Sequence, residues 1–200
     1  MDFIQNVPFF SILLSLGSGV LTSIMNRRIA RLWNTFILTV ISIMSAVFFV
    51  YMIGRGESYV FMMGHFPAPW GNEIRAGVLE AGMALFFCIV MFLCIKGGQE
   101  HIDKEIEEPK ANLYYIMLNL LLSSLLALIY TNDLFTAYVF VEINTISACG
   151  LIMITNEGRT IEAATRYMIM SSLGSGLLLL GLCILYDITG HLLMSNMKNS

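Results

Sequence analysis

The chain has 200 residues, 57% of them hydrophobic and 12% charged, with a mean hydropathy of +0.76 and a formal net charge of -3. A soluble domain carries about 25% charged residues, so this composition excludes an ordinary soluble globule and points to an integral membrane protein. The net charge identifies no partner, because the ionised residues are confined mainly to the connections between apolar runs.

A hydrocarbon core about 30 Å thick is crossed by about 20 helical residues. Six apolar runs meet that requirement, at roughly 8–25, 33–53, 76–97, 112–130, 133–154 and 164–187. The expected fold is all-α: a single transmembrane domain over residues 1–200 with six membrane-crossing helices. Asp2 and Gln5 precede the first run, where a cleavable signal peptide would carry basic residues, so none is expected. Arg27-Arg28 separates the first two runs, and Gly54-Arg55-Gly56 closes the second.

The connection Tyr59–Arg75 contains Gly64-His65-Phe66-Pro67-Ala68-Pro69-Trp70-Gly71. Its two prolines and aromatic cluster suit a rigid loop packed against the membrane surface rather than another helix. The third run carries Glu80 near its start and reaches Gly97-Gly98. From Gln99 to Lys110, five acidic residues alternate with Lys104 and Lys110, which reads as a solvated helical turn. Asn119 and Ser123 lie four apart on the fourth run, a spacing that suits helix packing. Thr131-Asn132-Asp133 is so short a link that the fourth and fifth helices must be antiparallel neighbours.

Glu142 stands in the middle of the fifth run. A carboxylate at the centre of a membrane-crossing helix costs about 2.5–3.5 kcal/mol on insertion scales, so it must face a partner, a watery cavity or another helix. Tyr138, Glu142, Thr145 and Cys149 follow at spacings of four, three and four, which places them on one helical stripe. The functional reading is a proton or ion path through Glu142, Arg166, Tyr138 and Thr145. The plain alternative is a protonated Glu142 hydrogen-bonded to a neighbouring helix. On the sixth run Ser171, Gly174, Ser175 and Gly181 keep bulk low, so that another helix can approach. Arg166 opens that run with Glu162 four residues earlier, the favourable order for an ion pair. At 1.5 Å per residue Arg166 stands about 12 Å from the level of Glu142, too far for a direct bridge, although a water-bridged coupling stays open. Cys88, Cys94, Cys149 and Cys183 all fall inside predicted spans without metal-ligand spacing, so no disulfide, metal or redox cofactor is expected.

Lys and Arg concentrate on cytoplasmic flanks of membrane proteins. With the N-terminus outside, the inner connections hold Arg27, Arg28, Arg31, Lys96, Lys104, Lys110, Arg159 and Arg166, against Arg55, Arg75 and Lys198 outside. Both termini are therefore expected on the outer (periplasmic) face of an inner cell membrane.

The stretch Asn132-Asp-Leu-Phe-Thr-Ala-Tyr138-Val-Phe-Val-Glu142 resembles the fifth-helix signature of antiporter-like subunits. Glu162-Ala-Ala-Thr-Arg166-Tyr167 resembles the start of that family's sixth helix, and Leu185-Tyr186-Asp-Ile-Thr189-Gly190 resembles its end. The loop Gly64–Gly71 is similar to its counterpart in the Mrp-type D subunit. This family comprises proton-pumping subunits of respiratory complex I, subunits of multisubunit Na+/H+ antiporters and subunits of membrane-bound hydrogenases.

The resemblance implies that Glu142 is the fifth-helix carboxylate of a proton path, paired electrostatically with a Lys on a later broken helix of a fourteen-helix fold. It also implies partners: other membrane subunits, and a chain supplying the helices after Ser200. Where the family has a Lys before Tyr in the sixth helix this chain has Arg166, a poor proton relay because its guanidinium stays charged. The leading expectation is a non-redox membrane subunit of a proton- or sodium-translocating complex. The alternatives are a truncated structural subunit of a membrane arm and, last, a self-sufficient transporter, for which the helices show no convincing internal repeat.

Overall fold

The computed structural model describes residues 3–62, 73–107, 110–155 and 157–194. A 3-10 turn, Phe3–Asn6, leads into α1 (Val7–Thr22), followed by α2 (Arg27–Arg55), strands β1 (Tyr59–Met62) and β2 (Glu73–Ala76), α3 (Val78–Glu105), α4 (Ala111–Tyr130), α5 (Leu134–Met153) and α6 (Gly158–Thr189). All six helices are long and apolar enough to cross a membrane.

Local chemistry sets their ends. Pro8 stands in the first turn of α1, where its missing N–H costs nothing. The Asp133 carboxylate caps α5, accepting the Thr136 backbone N–H at 2.9 Å and its hydroxyl at 2.6 Å. Helices α2 and α6 stop at Gly56 and Gly190, both left-handed at φ 72° and 69°, a conformation that side chains disfavour.

Three helices run past the hydrophobic stretches. With 29, 28 and 32 residues, α2, α3 and α6 are about 42 to 48 Å long and overshoot a core of about 30 Å. Charge at a membrane surface opposes burial in hydrocarbon but not helix formation, so Arg27 and Arg28 lie inside α2. The acidic connection after Gln99 is, as far as Glu105, the last turns of α3.

One expectation changes. The composition of Tyr59–Arg75 suits a loop, yet its flanks pair as an antiparallel two-stranded sheet, with Tyr59 opposite Ala76 and Met62 opposite Glu73. Gly64–Gly71, the proline-rich centre, lies outside the described residues. The strands form because both have tertiary partners: the Tyr59 hydroxyl donates to the Gln5 carbonyl at 2.6 Å, and Ile74 bridges to Thr131.

The main core belongs to α1–α4 and this hairpin, with Ile41, Phe48, Met52, Cys88, Leu122, Leu126 and Tyr130 almost fully buried. None of its fully buried members comes from α5 or α6. These last two helices are tied in at the hairpin end through the α4–α5 link. The Asn132 backbone N–H donates to the Glu73 carbonyl at 2.9 Å, and its side-chain amide donates to the Glu73 carboxylate at 2.6 Å. On its other side Leu134 N–H donates to the Leu192 carbonyl at 3.0 Å, and Met194 N–H to the Asn132 carbonyl at 2.9 Å. Three residues of link thus join the hairpin, the start of α5 and the segment after α6. The opposite end, where Arg27 donates to the Ile102 carbonyl at 3.3 Å, is the basic end.

Candidate functional site around the fifth-helix carboxylate

Helix α5 lies between α4 and α6 and presents a different face to each. Towards α4 it is small: Ser147 is fully buried and donates to the Ile143 carbonyl at 2.7 Å. A Cβ on Gly150 would lie 2.8 Å from Met117 Sδ, so the two helices touch there. Towards α6 the face is polar. Thr145 is buried; its hydroxyl donates to the Val141 carbonyl at 3.0 Å and lies 3.1 Å from Ser171 Oγ. One turn further, Cys149 Sγ donates to the Ala164 carbonyl at 3.8 Å.

Glu142 shares the Thr145–Cys149 stripe, about one turn closer to the hairpin end. Counting antiparallel from the Thr145–Ser171 contact sets it level with Gly174 and Ser175, at about mid-depth in the pair. The sequence suggested a buried carboxylate, but Glu142 is only half-buried in the chain by itself. The cause is architectural: only 17% of the apolar stretch of α5 and 11% of that of α6 are buried, against 50% for α4. Among the described residues Glu142 makes no hydrogen bond and no ion pair. Tyr138, one turn above it, is also half-buried, with its ring against Phe135 at a centroid distance of 6.2 Å.

The structure does not bring Arg166 to Glu142. Ala164, Ser171 and Leu182 form the α6 stripe turned to α5, and Arg166 sits about 200° round the helix from Ala164. It pairs with Glu162 at 2.6 Å, with both side chains largely exposed, beside the end of α5 at the basic face. Gly174 has open space where a side chain would be, and Ser175 donates to the Ser172 carbonyl of its own helix at 3.1 Å. Asn119 and Ser123 belong to the other part of the molecule. Ser123 donates to the Leu120 carbonyl at 2.9 Å, while Asn119 Nδ2 donates to Asn34 Oδ1 at 2.7 Å and to the Tyr115 carbonyl at 2.8 Å.

Asn34 and the α1 stripe Ser11, Ser15, Ser18 and Thr22 escaped the sequence reading, although all are buried. Their signal was legible: an Asn in an apolar run, and hydroxyls at spacings of four, three and four.

Residues 131–200 match the family model described as NADH:quinone oxidoreductase/Mrp antiporter, TM, which begins at the α4–α5 link and takes in the whole candidate site. This stretch resembles that family. The chain is 30% identical over 143 residues to NADH-quinone oxidoreductase subunit N of Desulforudis audaxviator, covering 72% of this chain and 28% of that protein. It is 24% identical over 196 residues to the D subunit of the Na(+)/H(+) antiporter of Bacillus subtilis, covering 97% of this chain and 39% of that one. Its fold is similar to a chain in the structure of the Mrp complex from Dietzia sp. DQ12-45-1b, with a TM-score of 0.84 and 20% identity over 96% of this chain and 36% of that chain. The six helices and their arrangement are therefore an antiporter-like membrane fold. The chain spans about a quarter to two fifths of the length of these relatives.

Proposed function

We propose that this chain is a non-redox membrane subunit of a proton- or sodium-translocating complex, with Glu142 as the group that takes up and releases the ion. The observation that carries the reading is Glu142, without a partner among the described residues, at mid-depth on the polar α5–α6 stripe, inside the segment that matches the antiporter-like family. A carboxylate exposed to lipid tails is costly, so in the assembled protein this face is covered by further helices or opens on water. Those helices, from this polypeptide or from another, supply the positive partner.

In this reading Glu142 accepts a proton to become the neutral acid and gives it up when the covering helices restore an opposing charge. The Thr145 and Ser171 hydroxyls, 3.1 Å apart, can pass a proton onward because each is both donor and acceptor. Tyr138 offers a further hydroxyl on the hairpin side. Arg166 stays charged and shapes the field at the basic end without relaying protons. The basic end faces the cytoplasm and the hairpin end the outer side of an inner cell membrane, as the Lys and Arg distribution favours.

The test is transport by the assembly purified with this chain and reconstituted in vesicles. Glu142→Gln keeps the shape and removes the titratable group, so ion translocation falls about tenfold or more while assembly persists. Full transport by an assembled Glu142→Gln protein contradicts the proposal.

A further inference from the structure

Among the described residues, three buried polar atoms without a hydrogen-bond partner lie on α1 and α2: Ser18 Oγ on α1, and Trp33 Nε1 and Asn34 Nδ2 on α2. Ser18 and Trp33 line one groove of about 270 Å³ between the two helices, open at its outer side, whose other walls are apolar. Asn34 is next to Trp33 in sequence and only 1% exposed. It is bonded through Oδ1 to Asn119, whose backbone carbonyl accepts the Ser15 hydroxyl at 2.8 Å. A Cβ on Gly19 would lie 3.4 Å from Asn119 Cβ, so the α1 turn that carries Ser18 packs directly on this amide pair. Asn119 spends both of its amide protons, one on Asn34 Oδ1 and one on the Tyr115 carbonyl. The Asn34 amide protons find no acceptor there.

An unsatisfied buried donor is expensive, and hydrocarbon offers nothing to relieve it. The missing partner must accept from N–H donors, exchange hydrogen bonds with a hydroxyl and be small. A metal cation fits badly, since the site presents N–H groups and no carboxylate. An anion would meet apolar walls with no positive side chain among them. Water fits on each count, and buried waters occupy sites with two to four polar neighbours.

We propose that ordered water is held at the α1–α2–α4 contact by Ser18, Trp33 and Asn34. This hydration extends the direct Ser15–Asn119–Asn34 chain across to Ser18, so that α1, α2 and α4 are joined by one continuous polar link inside the membrane. The site is separate from the α5 carboxylate and does not depend on what the chain transports.

The test is a high-resolution cryo-EM map of the purified full chain in its membrane assembly. Water density within hydrogen-bond distance of Asn34 Nδ2 and of Ser18 Oγ or Trp33 Nε1 is the expected result. Direct bonds among the three side chains, a bound ion or lipid, or no density between them overturns the proposal. Asn34→Leu abolishes the density. Should that variant fail to fold, Ser18→Ala is the milder change and weakens it; unchanged density in Ser18→Ala also overturns the proposal.

Discussion

The α1–α4 bundle and the α5–α6 pair solve the same problem in opposite ways. Both place polar groups at membrane depth, but the bundle pairs them internally: Asn119 with Asn34, Ser15 with the Asn119 carbonyl, and Ser45 with Cys88 at 3.7 Å. The α5–α6 pair closes only the Thr145–Ser171 contact and leaves Glu142 unpartnered among the described residues. Among the described residues the first region leaves only single neutral atoms of Ser18, Trp33, Asn34 and Asn112 without a partner, whereas the second leaves a whole carboxylate without one. The family match, residues 131–200, falls on the second. The difference teaches that an ionisable residue in a membrane helix signals function when its own chain gives it no partner.

That contrast can be broken at several points. The largest effect on folding is expected from Asn119→Leu, which removes the bond to Asn34 and leaves a buried amide unsatisfied. It should cost about 1–3 kcal/mol of stability, read as a lower unfolding midpoint in detergent. Gly19→Leu against Gly174→Leu sharpens the comparison. The first drives a side chain into Asn119 and should cost about 1–3 kcal/mol, whereas the second enters open space and should leave the stability of the isolated chain unchanged while hindering assembly. Equal effects at the two positions would abolish the distinction between closed and open regions.

Smaller effects belong to the hairpin end. Asp133→Ala removes the α5 cap and should cost about 1 kcal/mol, detectable as faster hydrogen exchange over the first turn of α5. Burial pushes the Tyr59 phenol up to about 12; neighbouring Tyr51 adds to the shift and Arg55 opposes it. Its folded-state pKa is raised, so the neutral form favours the fold: stability is fully present below pH 10 and is lost between 10 and about 12. Tyr59→Phe should flatten that alkaline decline in a melting series, and an unchanged slope would remove Tyr59 as its cause.

Much of this architecture was legible because a bilayer demands length and apolarity, and both can be read along the chain. The six runs announced six helices. Their ends were less legible, since α2, α3 and α6 run on past the apolar stretches to Arg27, Glu105 and Gly158. The hairpin was hidden because its two four-residue strands are separated by ten residues and are stabilised by Gln5 and Thr131, which are distant in sequence. At the candidate site, the Tyr138–Glu142–Thr145–Cys149 stripe followed from helical spacing alone. What spacing could not show is which neighbour each member faces. The structure gives Thr145 and Cys149 to α6 and turns Arg166 away from α5. Asn34 was passed over although it obeys the same rule as Glu142, because an amide announces itself less loudly than a charge.

The central claim is that Glu142 moves the ion. Its most direct test is the rate of ion translocation by reconstituted vesicles of the assembly carrying wild-type, Glu142→Gln or Glu142→Asp protein, with subunit content checked in parallel. The account predicts a fully assembled but transport-deficient Glu142→Gln, with part of the activity restored by Glu142→Asp, which keeps the carboxyl group. Wild-type transport by Glu142→Gln would contradict it.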